Sequence, residues 1–388
     1  MQSKTVPHTW EIALVKKATT NISIEAKIPT KSYLEQGKFP VIDQGKNFIS
    51  GYANISRGLI ANIPVIIFGD HTRVLKYVDF PFLAGADGIK VLKAKKFILP
   101  KLLFYFLQAI ALPDRGYARH FQYLEQSVIP VPPMAEQKRI VRKIEELFGV
   151  IDRDIQRLTD TLAQLSQFRQ SVLEKLLNSH IPNSTLGELL QPRRERIIPS
   201  LKNQEMPYVG LDSIEPGALT PSKIETLQQT KSSCFLFCKD DVLYGRMRSY
   251  LNKVFKADFK GAASAEFIVF PKSEKILPDY LKYLLHQHRF VVFATKNASG
   301  DRPRVKFEED LAPFRFYLPS LPEQQKIVDE IEKAFHSADK VQKAVQNALE
   351  EAKKLKQSIL KKAFAGELVP QDPNDKPVNL PVLKGKTK

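Results

Sequence analysis

Four short loops combine glycine with arginine and other polar residues, in patterns that suit contact with nucleic acid. Two of them follow predicted strands, and the other two lie near the ends of predicted domains. Arginine can donate paired hydrogen bonds to guanine or to phosphate, whereas backbone N–H groups near glycine favour phosphate. The loops therefore predict contacts with bases and with the sugar–phosphate backbone. They span residues 69–73, 115–120, 245–250 and 300–306.

Polar, charged and aromatic side chains in or near these loops are the candidates for such contacts. For any single arginine among them, a solvated surface charge is an equally valid interpretation. The candidates are Lys46, Arg57, Asp70, His71, Thr72, Arg73, Arg115, Tyr117, Arg119, His120, Arg246, Arg248, Ser249, Tyr250, Arg302, Arg304 and Lys306.

The charge of the chain favours a polyanionic partner. Its 388 residues carry a formal net charge of +17, while 43% hydrophobic and 26% charged residues are ordinary for a globular protein. Most of the excess lies in residues 1–133 and 181–319. A basic surface attracts nucleic acid, although a merely basic protein would have the same composition.

The sequence offers no persuasive catalytic motif. It lacks a G-x-x-x-x-G-K-[ST] phosphate loop, a G-x-G-x-x-G turn and an H-E-x-x-H pair. Cys234 and Cys238 do not have zinc-site spacing, and His286 and His288 have no acidic partner in sequence, so structural roles are expected. We expect no metal or cofactor in this chain. Without a disulfide framework, an apolar leader or a membrane span, the expected location is the cytoplasm.

The elements that must position the loops occur twice. A long predicted helix begins with a Glu-Gln pair at Glu136-Gln137 and again at Glu323-Gln324, and further matches follow at the same spacing. The preceding segments repeat more loosely, with Leu-Pro at residues 99–100 and 277–278. The order is therefore arm, helix, arm, helix.

Apolar residues in the two helices alternate in steps of three and four, which is typical of a coiled coil. We predict helices over about 135–178 and 322–364, the second opened by a capping box at 320–323, each roughly 65 Å long. Pairing with each other is favoured over pairing with a second copy because the partner is in the same chain. The predicted seam residues are Ile144, Phe148, Ile151, Ile155, Leu158, Leu162 and Leu165, followed by Ile331, Ala334, Ala338, Val341, Val345, Ala348, Ala352, Leu355 and Ile359.

These patterns define the predicted fold class, α+β. Two α/β arms in a pseudo-two-fold arrangement are separated by two long helices paired as an antiparallel coiled coil. The strands expected in the arms cover 39–42, 63–68, 241–245, 252–255 and 266–270, and helices are expected at 99–110 and 277–293. The predicted domains are a first arm (1–133), a central helix (134–180), a second arm (181–319), a distal helix (320–370) and a flexible basic tail (371–388).

This organisation resembles the specificity subunit of type I restriction–modification enzymes. The signature Pro-Pro-x-x-Glu-Gln-x-x-Ile-Val stands at 132–141, a close variant stands at 319–328, and residues 357–368 look like that family's distal helix ending. Residues 39–52 with 69–73 are similar to one target-recognition type, and residues 208–212, 241–245 and 264–267 to another. The resemblance covers nearly the whole chain.

The resemblance implies a function for each part. Each arm, as a target-recognition domain, would read half of a split double-stranded DNA site in the major groove, and the helices would set the gap. The chain would be non-catalytic. It would bind two modification subunits, adenine-N6 methyltransferases that use S-adenosylmethionine, and restriction subunits with an ATP-driven motor would join them. S-adenosylmethionine, ATP and Mg are thus expected only on partner subunits.

Residues at the helix starts are candidates for the partner interface, with a solvated helix face as the alternative for the charged ones. They are Glu136, Gln137, Arg139, Arg142, Lys143, Glu323, Gln324, Lys326 and Lys333. Three other functions stay open at this point. They are a specificity subunit of a type II-like restriction–methylation complex, a stand-alone DNA-binding protein, and an enzyme with an unrecognised active site.

Overall fold

The computed structural model describes residues 6–86, 88–116 and 118–380. They form two compact units. Unit 1 takes its residues from Met1–Leu158 and Asn347–Lys388, and unit 2 is Thr159–Gln346. Each unit combines one predicted arm with a part of each long helix. The finer division into arms, helices and tail stays a prediction, and residues 381–388 of the tail lie outside the described part of the chain.

Both long helices begin and end within two residues of their predicted limits, and each has 44 residues. The arm helix predicted at 99–110 is also confirmed. Within the described ranges the α-helices are α1 (Val15–Ala18), α2 (Pro100–Ala109), α3 (Phe121–Gln126), α4 (Met134–Leu177), α5 (Leu186–Leu189), α6 (Pro278–His286), α7 (His288–Asn297) and α8 (Leu321–Phe364).

The single helix predicted at 277–293 is wrong, because the chain breaks at Gln287 into α6 and α7. Gln287 is extended, with φ −64° and ψ 150°, and it is almost fully buried. Its side-chain amide donates to the Leu284 carbonyl (3.2 Å) and accepts from the Asn178 amide (2.7 Å). These side-chain bonds stabilise a turn that an apolar pattern does not reveal.

Unit 1 contains two principal sheets. One is antiparallel with strand order β2-β10-β7-β8, and the other, β3-β9-β4-β5, includes parallel pairs of β9 with β3 and β4. A short pair, β1 with β11, completes the unit. The strands are β1 (Glu11–Leu14), β2 (Thr19–Ile22), β3 (Lys27–Ile28), β4 (Phe39–Ile42), β5 (Gly51–Ala53), β6 (Leu59–Ile60), β7 (Val65–Gly69), β8 (Leu75–Val78), β9 (Phe82–Gly85), β10 (Ile89–Ala94) and β11 (Val128–Val131).

Unit 2 has a related organisation. An antiparallel sheet has the order β18-β17-β20, a second sheet β13-β16-β19-β14-β15 contains the parallel pair β14 with β19, and β12 pairs with β21. The predicted strands at 39–42, 63–68, 241–245, 252–255 and 266–270 all correspond to observed ones. The strands of unit 2 are β12 (Ser184–Thr185), β13 (Arg196–Ile197), β14 (Pro207–Val209), β15 (Glu225–Thr226), β16 (Cys234–Phe237), β17 (Val242–Gly245), β18 (Val254–Lys256), β19 (Gly261–Ala263), β20 (Phe267–Phe270) and β21 (Arg315–Phe316).

In unit 1 the first part of α4 packs antiparallel to the last part of α8. The Lys356 ammonium pairs with the Asp152 carboxylate and lies 4.7 Å from the centre of the Phe148 ring. Nearer the start of α4, Arg139 meets Asp375, which follows α8. From Asp152 back to Arg139 the contacted residues advance from Lys356 to Asp375, so the two segments run in opposite directions. The buried side chains of both helices join α2 in one apolar core.

Unit 2 has the same helix arrangement. The Arg169 guanidinium of α4 pairs with Asp339 of α8 (2.6 Å), and Asn183 exchanges hydrogen bonds with the backbone of Leu318. Leu173 and Leu177 share one core with residues of α6 and α8. The antiparallel pairing of the two helices within the chain is therefore confirmed in each unit, taken separately.

The predicted seam is correct for α4 and partly wrong for α8. All seven α4 positions are buried or half-buried, but Val341 is 44% and Leu355 is 52% exposed. Ala338, Val345 and Ile359, which are spaced by 7 and 14 residues, are buried. This part of α8 buries a narrower stripe than a full coiled-coil seam. No helix in the described ranges is both long and apolar enough to cross a membrane.

Candidate nucleic-acid interface

The loop after β7 in unit 1 is a tight, preformed turn. The Gly69 N–H donates to the Val74 carbonyl (2.9 Å), and the Arg73 N–H donates to the Gly69 carbonyl (2.8 Å). Arg73 has a φ of 61°, in the left-handed region that few non-glycine residues adopt. A Cβ on Gly69 would lie 2.2 Å from the Thr72 hydroxyl, so only glycine fits. The turn leaves Thr72 and Arg73 exposed.

Asp70 and His120 do not belong to the exposed surface, and the prediction for them is corrected. Asp70 is 5% exposed, and its Oδ1 accepts from the backbone N–H groups of His120 (2.9 Å) and Phe121 (2.8 Å). The carboxylate thus satisfies free N–H groups at the start of α3. The His120 side chain is fully buried, with Nδ1 3.1 Å from the Asp70 carbonyl. Both residues hold the loop in place.

A second loop, residues 43–50, lies beside this turn. The Thr72 hydroxyl donates to the Gln44 carbonyl (2.7 Å), and the His71 N–H donates to the Gln44 side-chain oxygen (3.3 Å). Exposed Lys46 therefore lies in the loop next to Thr72 and Arg73, and His71 is half-buried between them. The structure thus places the candidate residue Lys46 in a loop beside the predicted contact loop 69–73.

Lys76, which sequence analysis did not single out, positions the 43–50 loop. Its ammonium is 4% exposed and donates to the carbonyl oxygens of Asp43 (2.7 Å) and Asn47 (2.6 Å). Burial lowers the pKa of Lys76, and Asp43 raises it less. Burial alone would raise the pKa of Asp43, but bonds from Ser50 and Gly45 and the nearby Lys76 charge lower it below its ordinary value.

In unit 2 the two predicted contact loops are joined through their backbones. The Val305 N–H donates to the Arg246 carbonyl (3.0 Å), and the Arg248 N–H donates to the Pro303 carbonyl (2.7 Å). Arg304 makes a bidentate ion pair with Glu266 at 2.9–3.2 Å. This pair lowers the pKa of the Glu266 carboxyl. Arg304 is therefore held in one orientation, with its positive charge largely matched.

The exposed members of this unit 2 surface are Arg248, Tyr250, Arg302 and Lys306. Tyr250 is 54% exposed, which suits stacking or hydrogen bonding with a ligand. Ser249 is 2% exposed, so its predicted contact with DNA is wrong, because the side chain is buried. Arg246 is half-buried.

The two units share one backbone frame around these loops. Asp70, the residue after Gly69, donates its backbone N–H to the Gly88 carbonyl just before β10. In the same way Arg246, the residue after Gly245, donates its backbone N–H to the Glu266 carbonyl just before β20. The carbonyl of Asp70 also accepts a hydrogen bond from the His120 N–H, and the carbonyl of Arg246 accepts one from the Val305 N–H. Asp70 and Arg246 thus occupy equivalent positions with opposite charges.

The remaining candidates are dispersed. Arg57 is exposed and lies 3.6 Å from Glu25, and Arg73 pairs with Asp114 at 3.2 Å. The Arg115 guanidinium lies 5.4 Å from the centre of the Tyr123 ring, while Arg119 is exposed. Tyr117 lies outside the described residues. In the described part of the chain, no group of three or more His, Cys, Asp or Glu could hold a metal ion.

The glutamines of the Glu-Gln signature do not face a partner, and the prediction for them is corrected. Gln137 is fully buried; its Oε1 accepts from the Leu99 N–H (2.8 Å), and its Nε2 donates to the carbonyls of Phe97 (2.9 Å) and Pro132 (2.8 Å). We call this arrangement the amide clamp. It ties the start of α4 to the residue before α2.

Unit 2 repeats the amide clamp group for group. The Oε1 of buried Gln324 accepts from the Leu277 N–H (2.8 Å), and its Nε2 donates to the carbonyls of Lys275 (3.1 Å) and Pro319 (3.0 Å). The repeated Leu-Pro and Glu-Gln motifs are therefore two ends of one internal contact. The paired spacing in the sequence is explained by fold rather than by an external partner.

The two glutamates of the signature differ. Glu136 is fully buried and accepts from the Trp10 indole N–H (2.8 Å) and the Gln371 amide (2.5 Å), and burial raises its pKa. Its proposed contact with a partner is therefore also wrong. Glu323 is exposed and closes the predicted capping box, accepting from the Ser320 N–H at 3.0 Å and from its hydroxyl at 2.8 Å.

The basic candidates on the long helices are more accessible. Arg142, Lys326 and Lys333 are exposed, and half-buried Lys143 lies 2.9 Å from Glu146. Arg139 is committed to Asp375 at 2.6 Å. The exposed lysines and Arg142 thus stay available for a partner, whereas Arg139 contacts its own chain.

Sequence reasoning missed the basic segment 193–196. Arg193 forms two bonds to the carboxylate of buried Asp241, and Arg196 stacks on the Phe235 ring at 4.5 Å. The signal was present, because three of these four residues are arginines. The segment follows α5 and lies against Arg246 and Lys306, which were predicted.

Two related α/β units, each with polar and basic loops after an equivalent glycine and each packed on paired helices, define a class of proteins with a duplicated α/β unit. The comparison with protein families makes this specific. The chain belongs to the family of the type I restriction modification DNA specificity domain, whose model matches residues 20–160 and 179–351.

Named relatives share a modest part of the sequence. The chain is 27% identical over 281 residues to the type I restriction enzyme EcoDI specificity subunit of Escherichia coli, covering 63% of each chain. It is 28% identical over 272 residues to the StySPI specificity subunit of Salmonella potsdam, covering 63% of this chain and 58% of the relative. The match thus spans less than two thirds of the length of these relatives.

A solved structure shares the fold. A chain from work on complex assembly and conformational transition of the type I R-M system aligns with a TM-score of 0.65 and 20% identity. The alignment covers 94% of this chain and all of that one. The predicted α+β architecture with two long helices is therefore confirmed, and this solved chain shares it.

Proposed function

We propose that this chain is the DNA-specificity subunit of a type I restriction–modification complex. The observation that supports this most is the duplicated frame: Gly69 and Gly245 each open a polar and basic loop, and the residue after each glycine makes the same pair of backbone hydrogen bonds. Two similar frames with different side chains suit a bipartite, asymmetric double-stranded DNA site, one half per unit. Asp70 and Arg246 mark the difference most sharply.

In each unit, a small set of exposed side chains would contact the DNA. Lys46, Thr72 and Arg73 do so from unit 1. Arg248, Tyr250 and Arg302 do so from unit 2. Arginines supply both base and phosphate contacts, since their forked donors match guanine and phosphate oxygens. The long helices set the gap between the half-sites.

The chain itself performs no catalysis in this proposal. Two methyltransferase subunits that modify adenine-N6 join it, followed by restriction subunits that translocate DNA, in the cytoplasm. S-adenosylmethionine, ATP and Mg bind to those partners, and the target adenine is extruded from the duplex by the methyltransferase. Exposed Arg142, Lys326 and Lys333 on the helices contact the partners electrostatically.

The test is to express the full chain with the methyltransferase encoded beside it and to map methylated adenines in DNA exposed to the complex. We expect a bipartite, asymmetric motif that disappears without this chain. Arg73→Gln should relax only one half-site and Arg248→Gln only the other. Lys96→Gln removes an exposed charge of unit 1 beyond the end of β10 that is remote from Gly69, and it serves as the control.

Different outcomes would favour the other functions. Methylation that ignores this chain, combined with tight site-specific binding by the chain alone, would indicate a stand-alone DNA-binding protein. The specificity subunit predicts weak, salt-sensitive binding alone and a gain on assembly. A neighbouring gene that fuses nuclease and methyltransferase would indicate a type II-like complex.

A further inference from the structure

Unit 2 contains a cavity that neither the family nor the loop pattern explains. Its volume is about 450 Å³, within the range of small-ligand sites. It lies between the basic segment 193–196, strand β20, and the loop residues Arg246 and Lys306. Phe235, Phe267 and Phe307 supply apolar walls. We call it the arginine cavity.

Not every cation of the arginine cavity is available to a ligand. Arg193 is committed to Asp241 (2.9 Å) and Glu195 (2.9 Å), and these bonds raise its pKa against the effect of burial. Arg194 meets Glu308 at 3.4 Å, with both side chains largely exposed at the rim.

Two guanidinium groups have no carboxylate neighbour within bonding distance in the described structure. The exposed Arg196 guanidinium lies 4.5 Å from the centre of the Phe235 ring, a cation–π contact that favours one position of the side chain. Arg246 is half-buried, and its Nε is buried without a hydrogen-bond partner. A buried donor without a partner destabilises the protein unless a ligand accepts its bond.

The two arms differ at this point. The position equivalent to Arg246 in unit 1 is Asp70, whose carboxylate is buried and used to cap α3. In unit 2 the corresponding turn, Phe307–Leu311, is capped by Asp310, whose side chain accepts from the Lys306 N–H at 2.7 Å. The arginine is thereby free of a structural duty. The charge reversal argues for a site particular to the second arm.

We propose that the arginine cavity binds a phosphate group, namely a backbone phosphate of the DNA beside the half-site that unit 2 contacts. This inference rests on the proposed function. The Arg196 and Arg246 guanidinium groups supply the donors, since arginine donates to phosphate oxygens in pairs, whereas the Lys306 ammonium is already paired with Glu309 at 2.7 Å. Such a contact positions the DNA and carries no sequence information of its own.

The test uses the full chain assembled with its methyltransferase partner and a duplex that contains the methylated motif. Affinity is measured by fluorescence anisotropy over a range of KCl concentrations for Arg246→Gln, Arg196→Gln and the double variant. Lys260→Gln removes one exposed charge from the same unit away from the cavity and is the matched control. Thermal melting of each variant verifies folding, and Arg246→Lys tests whether charge alone suffices.

We expect each single variant to bind DNA about 10- to 100-fold more weakly, the size of one lost charge-assisted bond. The slope of log K against log salt should fall by about one, and the methylated motif should stay the same. Unchanged affinity and slope, or the same loss in Lys260→Gln, would overturn the proposal. A relaxed second half-site would overturn it too, since it would make Arg246 or Arg196 a base reader.

Inorganic phosphate separates the possible sources of the anion. If phosphate raises the melting temperature of the wild-type protein but not of Arg246→Gln, while both bind DNA equally, the cavity takes a free anion and the DNA assignment is wrong. If the wild-type complex fails to bind DNA at all, the proposed function fails instead, and the phosphate titration still tests the cavity.

Discussion

Gln137→Leu should weaken the contact between the start of α4 and the start of α2. The substitution keeps the size of the side chain but removes three hydrogen bonds, to Leu99, Phe97 and Pro132, each between 2.8 and 2.9 Å. At about 0.5–1.5 kcal/mol for each bond, the free energy of unfolding of unit 1 should fall by about 3 kcal/mol. Because the groups are buried, water replaces the bonds poorly.

Hydrogen exchange followed by mass spectrometry locates this effect. The Leu99 N–H donates to Gln137, so peptides that cover 97–103 should exchange faster by a factor of about 150, equivalent to the same loss of about 3 kcal/mol. The matched variant Gln324→Leu should accelerate exchange at 275–281 instead, because it removes the same three bonds in unit 2.

Gln325→Leu is the control, since Gln325 is exposed and bonds only to Asp329 on the same helix. If Gln137→Leu leaves exchange at 97–103 unchanged, or if Gln325→Leu has an effect of the same size, the amide clamp does not stabilise these units and our explanation of the signature fails.

Four further outcomes follow from the structure. Lys76→Met should lower the free energy of unfolding of unit 1 by about 2–4 kcal/mol in urea titrations, more than Lys253→Met lowers that of unit 2, because Lys76 bonds two carbonyls and Lys253 one; equal effects would contradict this. Burial lowers the pKa of His286 to about 4 from 6.5, so unfolding takes up a proton at pH values between these two. The free energy of unfolding should therefore fall by about 3 kcal/mol as the pH drops from 6.5 to 4. His286→Gln should remove this pH dependence from urea titrations between pH 6.5 and 5. Glu266→Gln should weaken the bidentate pair with Arg304 and alter methylation at one half-site only, as read by methylome sequencing; equal loss at both halves would contradict that role. Insertion of one heptad into both α4 and α8 should change the gap of the methylated motif and leave both halves unaltered, whereas an unchanged gap would exclude the helices as the spacer.

The sequence predicted the long elements well because their signals are long. Forty-four residues of apolar periodicity locate α4 and α8 to within two residues at each end. Runs of β-branched residues likewise predicted β7 and β20. Two-residue strands such as β3 and β13 carry no such pattern, since they exist only through pairing with distant strands.

The candidate site was predictable in outline and not in detail. Loops after Gly69 and Gly245 lie where the sequence predicted them, and their contact with DNA stays a prediction. Residue type alone does not reveal that Asp70 caps a helix while Arg246 lines a cavity. The two positions differ because the start of α3 is capped by Asp70, whereas the corresponding turn 307–311 is capped by Asp310 and leaves Arg246 without that role. For the same reason, the Glu-Gln signature suggested a partner surface, although Gln137 and Gln324 are buried.

The amide clamp has a consequence for how such a protein can be modified. All six of its bonds end on main-chain atoms, which every residue type provides, except that a proline has no N–H to donate. Each long helix is therefore bonded to the arm before it through main-chain atoms, independently of the side chains at the bonded positions. An arm of foreign sequence could be grafted between these fixed points, provided its backbone offers one donor and two acceptors in the same places. Exchange of one arm for another is thus compatible with the amide clamp, because its glutamine bonds only main-chain atoms of the arm.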